Sequence, residues 1–217
     1  MAFYTEKQRE LQEQFDSRPL ADAVEHAIVE ESLNEMHTAF IESRDFFFLS
    51  TVNSAGEPTV SHKGGGVGTV RVVDAHTLVF PAYDGNGMFL SLGNIADTAK
   101  IGLLFIDFET PNRVRVQATA MLDVNDALLG DYPGAIAMVR AKVDRVFLNC
   151  ARYIHKHARL ETSPYVPNEK GEQPYPAWKR IDGLQDHLRP QDQGRAVQEG
   201  GTITDEEYGQ AVAEGRS

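Results

Sequence analysis

Polar and apolar positions along the chain change period twice. From Thr5 to about Arg44, apolar residues such as Ala27, Ile28, Leu33, Met36, Phe40 and Ile41 recur at helical spacing among Glu, Gln and Ala. This predicts two helices interrupted near Pro19. At Phe46 the period shortens: Phe46-Phe47-Phe48-Leu49-Ser50-Thr51-Val52 is aromatic and β-branched, and the turn residues Asn53 to Pro58 follow it. Further β segments are predicted at Thr59 to His62, Thr69 to Val73, Thr77 to Pro81, Ile101 to Ile106 and Val114 to Leu122, with another candidate from Ala141 to Leu148. One helix-like insertion lies between Gly87 and Ala99. Six strands at this spacing, without alternating helices, predict a mainly β fold in which an antiparallel sheet closes into a barrel.

Beyond Leu160 the prolines at 164, 167, 174, 176 and 190 interrupt any regular pattern. The expected organisation is a helical segment over 1–44, a barrel over 45–160 and an extended Pro-rich arm over 161–217. Thr204-Asp205-Glu206-Glu207 has the form of a helix cap and predicts a last short helix.

Composition narrows the chemistry. Lys and Arg total 21 against 32 for Asp and Glu, so the chain repels a phosphate backbone and general nucleic-acid binding is not expected. No apolar run reaches the ~18 residues of a membrane span, and the first residues lack a signal-like apolar stretch, so the expectation is a cytoplasmic protein. Cys150 is the only cysteine. It excludes an internal disulfide and a multi-thiolate metal site, and reads as a small buried apolar residue. His155-Lys156-His157 lacks further ligands, so no metal is expected.

Three stretches concentrate hydrogen-bond donors. Ser61-His62-Lys63-Gly64-Gly65-Gly66 is a glycine-rich loop bearing one cation, where backbone N–H groups and an ammonium can meet an anion. It matches neither a P-loop nor a dinucleotide fingerprint. In Tyr83 to Ile95, Asp84 or Asn86 is positioned to cap a helix whose first N–H groups, at Gly87 and Met88, attract an anion. On Arg113 to Met121, the strand period sets Arg113, Arg115, Gln117 and Thr119 on one face and Val114, Val116, Ala118 and Ala120 on the other. Together these favour an anionic ligand with a polar ring, such as a nucleotide-like cofactor. No acyl-transfer elbow surrounds any serine, and no catalytic residue is assigned.

The ordered run Phe47-Phe48-Leu49-Ser50-Thr51-Val52-Asn53, Gly56-Glu57-Pro58, Ser61-His62-Lys63-Gly64-Gly65, Arg71-Val72, Tyr83 to Met88, Asn94-Ile95, Leu103-Leu104-Phe105, Arg113-Val114-Arg115-Val116 and Phe147 to His155 resembles the pyridoxamine 5′-phosphate oxidase-like FMN-binding split-barrel family. The resemblance covers roughly residues 44–160. It implies a six-stranded antiparallel split barrel, a homodimer and FMN held at the subunit interface. It further implies Ser61, Lys63, Asn86, Gly87, Met88, Arg115 and Gln117 as cofactor contacts, with Arg71 as a further one. The oxidase itself presents Ser-Arg-Lys at the helix start where this chain has Asn86-Gly87-Met88, so Lys63 and an arginine must supply most of the charge. The implied activity is two-electron redox chemistry on a small organic molecule. Alternatives within the same fold are a reductase using the deazaflavin F420, a haem-processing protein, or a non-catalytic flavin-binding module.

Overall fold

The computed structural model describes residues 2–216, and the chain divides after Thr162 into two compact units. In the first unit, three helices precede the barrel: α1 (Glu6–Gln14), α2 (Arg18–Ile28) and α3 (Glu35–Glu42). Pro19 opens α2 rather than breaking a helix, since a proline in the first turn loses no intrahelical hydrogen bond. The predicted second helix stops at Ile28 for two local reasons. Val29 and Glu30 form a short strand, β1 (Val29–Glu30), on the last barrel strand, and Asn34 opens α3 with a reciprocal capping box to His37.

The barrel strands are β2 (Phe46–Val52), β3 (Pro58–Gly64), β4 (Arg71–Asp74), β5 (Thr77–Tyr83), β6 (Lys100–Asp107), β7 (Asn112–Asp123) and β8 (Ala135–Leu148), with α4 (Leu90–Thr98) between β5 and β6. All pairings are antiparallel in the order β3-β2-β6-β7-β8-β5-β4, with β1 also on β8. Among the described residues the strand count is therefore eight rather than six. The added members are β1 and β8, and β8 begins six residues before the segment predicted from Ala141. Its first half hides from pattern reading because Met138 and Val139 are both fully buried: Val139 faces the barrel interior, while Met138 lies under Leu128, Leu129 and Tyr132 on the outer side.

The sheet curls until strands far apart in its order meet. Phe47 of β2 packs edge-on against Phe80 of β5, ring centroids 5.0 Å apart, and both are essentially inaccessible. Leu49, Phe105, Val114, Val116 and Ala141 line the same interior, closed by Ile41 of α3 and Ile95 of α4. Among the described residues, β3 and β4 form no ladder with each other, which leaves the barrel split along that seam. The loop between them is fastened to the end of α3 instead: Gly65 N–H donates to the Asp45 carbonyl (2.8 Å) and Gly68 N–H to that of Arg44 (3.3 Å). Glycine is required at 65, where a Cβ would lie 2.4 Å from Thr69 Oγ1. On β4, Glu42 Oε1 accepts the Val72 N–H at 2.9 Å.

The second unit carries α5 (Arg195–Gln198), α6 (Asp205–Ala213) and 3₁₀ turns around Ala177–Arg180 and Asp182–His187. Thr204 caps α6 through a capping box with Glu207, as the sequence predicts. The unit is more than an extended arm. Ile181, Leu188 and Ala196 are buried, and among them the Lys179 ammonium lies 2.8 Å from an Asp192 carboxylate oxygen, both side chains over nine-tenths buried. Tyr175 and Trp178 present their rings to the same ammonium, each centroid 5.8 Å away.

Candidate functional site

Strand register decides which predicted residues can act together. In β3 the alternation sends Pro58, Val60, His62 and Gly64 outward and Thr59, Ser61 and Lys63 inward: Ser61 pairs with Leu49 and Lys63 with Phe47, both core residues. Lys63 is half-buried, and among the described residues no carboxylate pairs with its ammonium. Burial pushes its pKa below the ordinary lysine value. A cation removed from water without a counter-charge is costly, and an anionic ligand removes that cost.

The turn into α4 stands beside it. Ser61 Oγ and Ser91 Oγ are 3.0 Å apart and tie β3 to the first turn of the helix, and Asn94 Nδ2 donates to Thr51 Oγ1 at 3.0 Å from the same helix. The helix begins at Leu90, later than the sequence predicts, and neither Asp84 nor Asn86 caps it. Asn86 Oδ1 is occupied locally by the Met88 N–H at 3.1 Å, and Gly87 takes a positive φ of 81° to close that turn. Phe89 follows in the left-handed region at φ 51°, a strained conformation for a bulky residue, and the first turn has no side-chain cap. Ser61 is thus tied directly to the helix start, and Asn86, Gly87 and Met88 form the turn that leads into it.

The other three predicted residues do not join them. Arg115 and Gln117 alternate with buried Val114, Val116 and Ala118 as expected, and both are exposed on the outer face of the sheet, opposite to Lys63. Arg71 also faces outward, opposite Val79; its guanidinium is 2.7 Å from Asp131 and lies 4.8 Å over the Tyr132 ring, and that hydrogen bond holds its pKa above the ordinary value. One chain cannot bring all eight residues around one ligand.

The outer face holds features that sequence reading missed. His62, Phe46 and Phe108 form a run of near-parallel rings, 5.3 Å and 6.0 Å between successive centroids, with His157 edge-on to Phe108 at 5.2 Å. A groove of about 390 Å³ is lined by residues that include Ser50, Lys100, Gly102, Gln117, Asp144 and Arg145. Consecutive residues in a strand normally face opposite ways, so the Asp144-Arg145 pair gives no sequence signal. A register shift in β7·β8 between Gln117 and Ala118 leaves Asp144 as an extra residue and aims it outward beside Arg145. Cys150 is exposed rather than buried. The Arg152 N–H donates to its sulfur at 3.4 Å and, with the guanidinium, lowers the thiol pKa. Among the described residues no group of three or more His, Cys, Asp or Glu side chains is placed to hold a metal ion, and no helix is long and apolar enough to cross a membrane.

The fold is an antiparallel split barrel, with a half-buried lysine on β3 and an uncapped start to α4. The sequence profile of the pyridoxamine 5′-phosphate oxidase family matches residues 33–150, more than half of the chain, and the chain belongs to that family. A search of curated proteins finds no match. Among solved structures, the chain is similar to HupZ of Group A Streptococcus (19% identity over 58% of this chain and 99% of that one, TM-score 0.45). It is also similar to an FMN-binding protein of Syntrophomonas wolfei (13% identity, 64% and 97% covered, TM-score 0.43) and to the haem storage protein HutZ of Vibrio cholerae (16%, 54% and 94%, TM-score 0.37).

Proposed function

We propose that this protein binds FMN and carries out two-electron redox chemistry on a small organic molecule in the cytoplasm, working as a homodimer. The observation that carries this reading is the half-buried, unpaired ammonium of Lys63 beside the start of α4. The donor set fits a phosphate monoester: one ammonium, the hydroxyls of Ser61 and Ser91, and the N–H groups of an uncapped first turn all donate and bring no negative charge. When bound, FMN supplies hydride chemistry through its ring. Lys63 neutralises phosphate charge, Ser61 and Ser91 orient it, and the interior aromatic residues behind them exclude water. Arg115 and Gln117 face away from Lys63 within one chain, which supports a second copy that offers its outer face to the ring.

An absorption spectrum of the purified protein, followed by mass spectrometry of whatever acid releases, tests the reading. A released flavin mononucleotide is expected. A colourless protein that takes up no added FMN overturns it. The apo-protein is titrated in parallel with F420 and with haem, and tighter binding of either replaces FMN with that ligand. Bound flavin is expected to be reduced by NADH, NADPH or a substrate faster than free FMN; failure of every donor leaves a flavin-binding module without activity. Sedimentation should show a dimer, and a monomer that retains flavin refutes the shared site.

A further inference from the structure

We infer that residues 149–162 form a strap that latches the glycine-rich end of β3 and governs how readily the strand bearing Lys63 moves. The latch stands on contacts within the chain; its use as a gate for an anionic cofactor rests on the FMN reading.

Beyond β8 the chain runs without helix or strand to Thr162, the last residue of the first unit. From Ala151 onward every side chain of this stretch is exposed except the half-buried Ile154. A segment that buries so little apolar surface opens at low free energy. Tyr153 takes a positive φ of 69° with its side chain exposed, a strained conformation for a bulky residue, and it marks the hinge. Among the described residues, the hydrogen bonds, ion pairs and ring contacts that tie the strap to the barrel beyond Asn149 come from His157 and Arg159. The His157 N–H donates to the Phe108 carbonyl at 3.1 Å and its ring stands edge-on to Phe108, while the Arg159 guanidinium pairs with the Asp45 carboxylate.

Both fastenings lead to the strand pair that carries Lys63. Phe108 stacks on Phe46 and Phe46 on His62, and Phe46 is the register partner of Gly64. His62 and Gly64 flank Lys63 in β3. Asp45 serves two segments at once: its carboxylate holds Arg159 and its carbonyl accepts the Gly65 N–H at 2.8 Å. Arg44 repeats the arrangement one residue earlier. Its carbonyl accepts the Gly68 N–H, and its guanidinium lies 3.0 Å from Asp107, the neighbour of Phe108. Since β3 forms a ladder with β2 alone, these end fastenings carry much of the restraint on its free margin. When the strap swings out, Asp45 loses the partner of its side chain and Phe108 the ring beside it, and the loop over Gly65 to Gly68 loosens.

Amide hydrogen exchange of the full-length apo-protein tests the latch without any cofactor. The Arg159–Asp45 pair is partly exposed, so Arg159→Gln should speed exchange at Gly65, Gly68 and the β3 amides roughly two- to fivefold, with the β7 amides unchanged. Arg159→Glu sets a like charge against Asp45 and should speed it further; Asp45→Arg added to Arg159→Glu reverses the pair and should return exchange toward the original rate. Raising the salt concentration to about 1 M should mimic Arg159→Gln in the unaltered protein and do little in the variant. The latch is overturned if Arg159→Glu leaves exchange at Gly65 and β3 unchanged, if β7 accelerates by the same factor, or if the reversed pair gives no recovery. Stopped-flow fluorescence with FMN then tests the gate: uptake and release should quicken by the same factor in Arg159→Glu, leaving Kd as it was. A changed Kd with unaltered uptake overturns the gate and makes Arg159 part of the site. A protein that takes up no FMN refutes the cofactor reading, while the exchange series still decides the latch.

Discussion

Replacing Lys63 by methionine should push two measurements in opposite directions. The variant keeps the length and apolar stem of the side chain and removes only the ammonium. In the folded apo-protein that ammonium is half-buried opposite Phe47 without a carboxylate partner, so its loss removes a desolvation cost and should leave apo stability equal or higher. In the complex, the same ammonium makes a charge-assisted hydrogen bond to phosphate, and losing it should cost about 1.5 to 3 kcal/mol, or roughly ten- to a hundredfold in FMN affinity. Urea unfolding of apo-protein and fluorescence titration with FMN read the two effects. A pH series adds a third. The folded pKa of Lys63 lies below its unfolded value, so between the two the unfolded chain holds the extra proton and apo stability rises with pH in that window. FMN affinity should fall as pH rises through the folded pKa. Lys63→Met should show neither trend. An unchanged Kd removes Lys63 from the site, and a loss of apo stability above about 1 kcal/mol assigns it a structural role instead.

Two further outcomes follow from buried charge elsewhere. His37 is fully buried, its Nδ1 accepts the Asn34 N–H at 3.4 Å, and Nε2 has no partner among the described residues; burial lowers its pKa against a smaller opposing effect of Glu30. The unfolded state therefore binds a proton that the folded state refuses, and stability should fall as pH drops below about 6.5, levelling off at the folded pKa. His37→Gln, which keeps the capping box without titrating there, should flatten that slope of thermal midpoint against pH; an unaltered slope refutes the assignment. In the second unit, Lys179→Met takes from buried Asp192 its nearer cation and leaves Arg189, 3.8 Å away, so it should destabilise that unit by about 1 to 3 kcal/mol, seen as faster proteolysis or amide exchange. Adding Asp192→Leu should restore most of the loss, and a double variant no better than the single one rejects the coupling.

What the sequence made legible was whatever a single strand or helix declares by itself. Phe46 to Val52 is a strand over those same residues because its alternation is uninterrupted, and β7 shows the inward and outward sets that its period requires. Features set by two elements at once stayed hidden. Val29-Glu30 is a strand only because β8 offers an edge, and Met138-Val139 breaks alternation only because Tyr132 covers the outer side. The candidate site divides in the same manner. Lys63 and Gln117 were both found by composition, but only register shows that they face opposite ways. Asn86 was misplaced as a cap because its oxygen had a nearer amide, that of Met88. The Asp144-Arg145 pair was invisible because a one-residue slip in pairing leaves no mark in composition.

The seam between β3 and β4 has a mechanical consequence. β3 is laced to β2 along one margin only, while β7 is bonded on both, so the strand that bears Lys63 can move away without breaking a second ladder. The lone ammonium is thus carried on an edge stave, and a guest can enter there by bending a single ribbon while the doubly bonded staves stay shut.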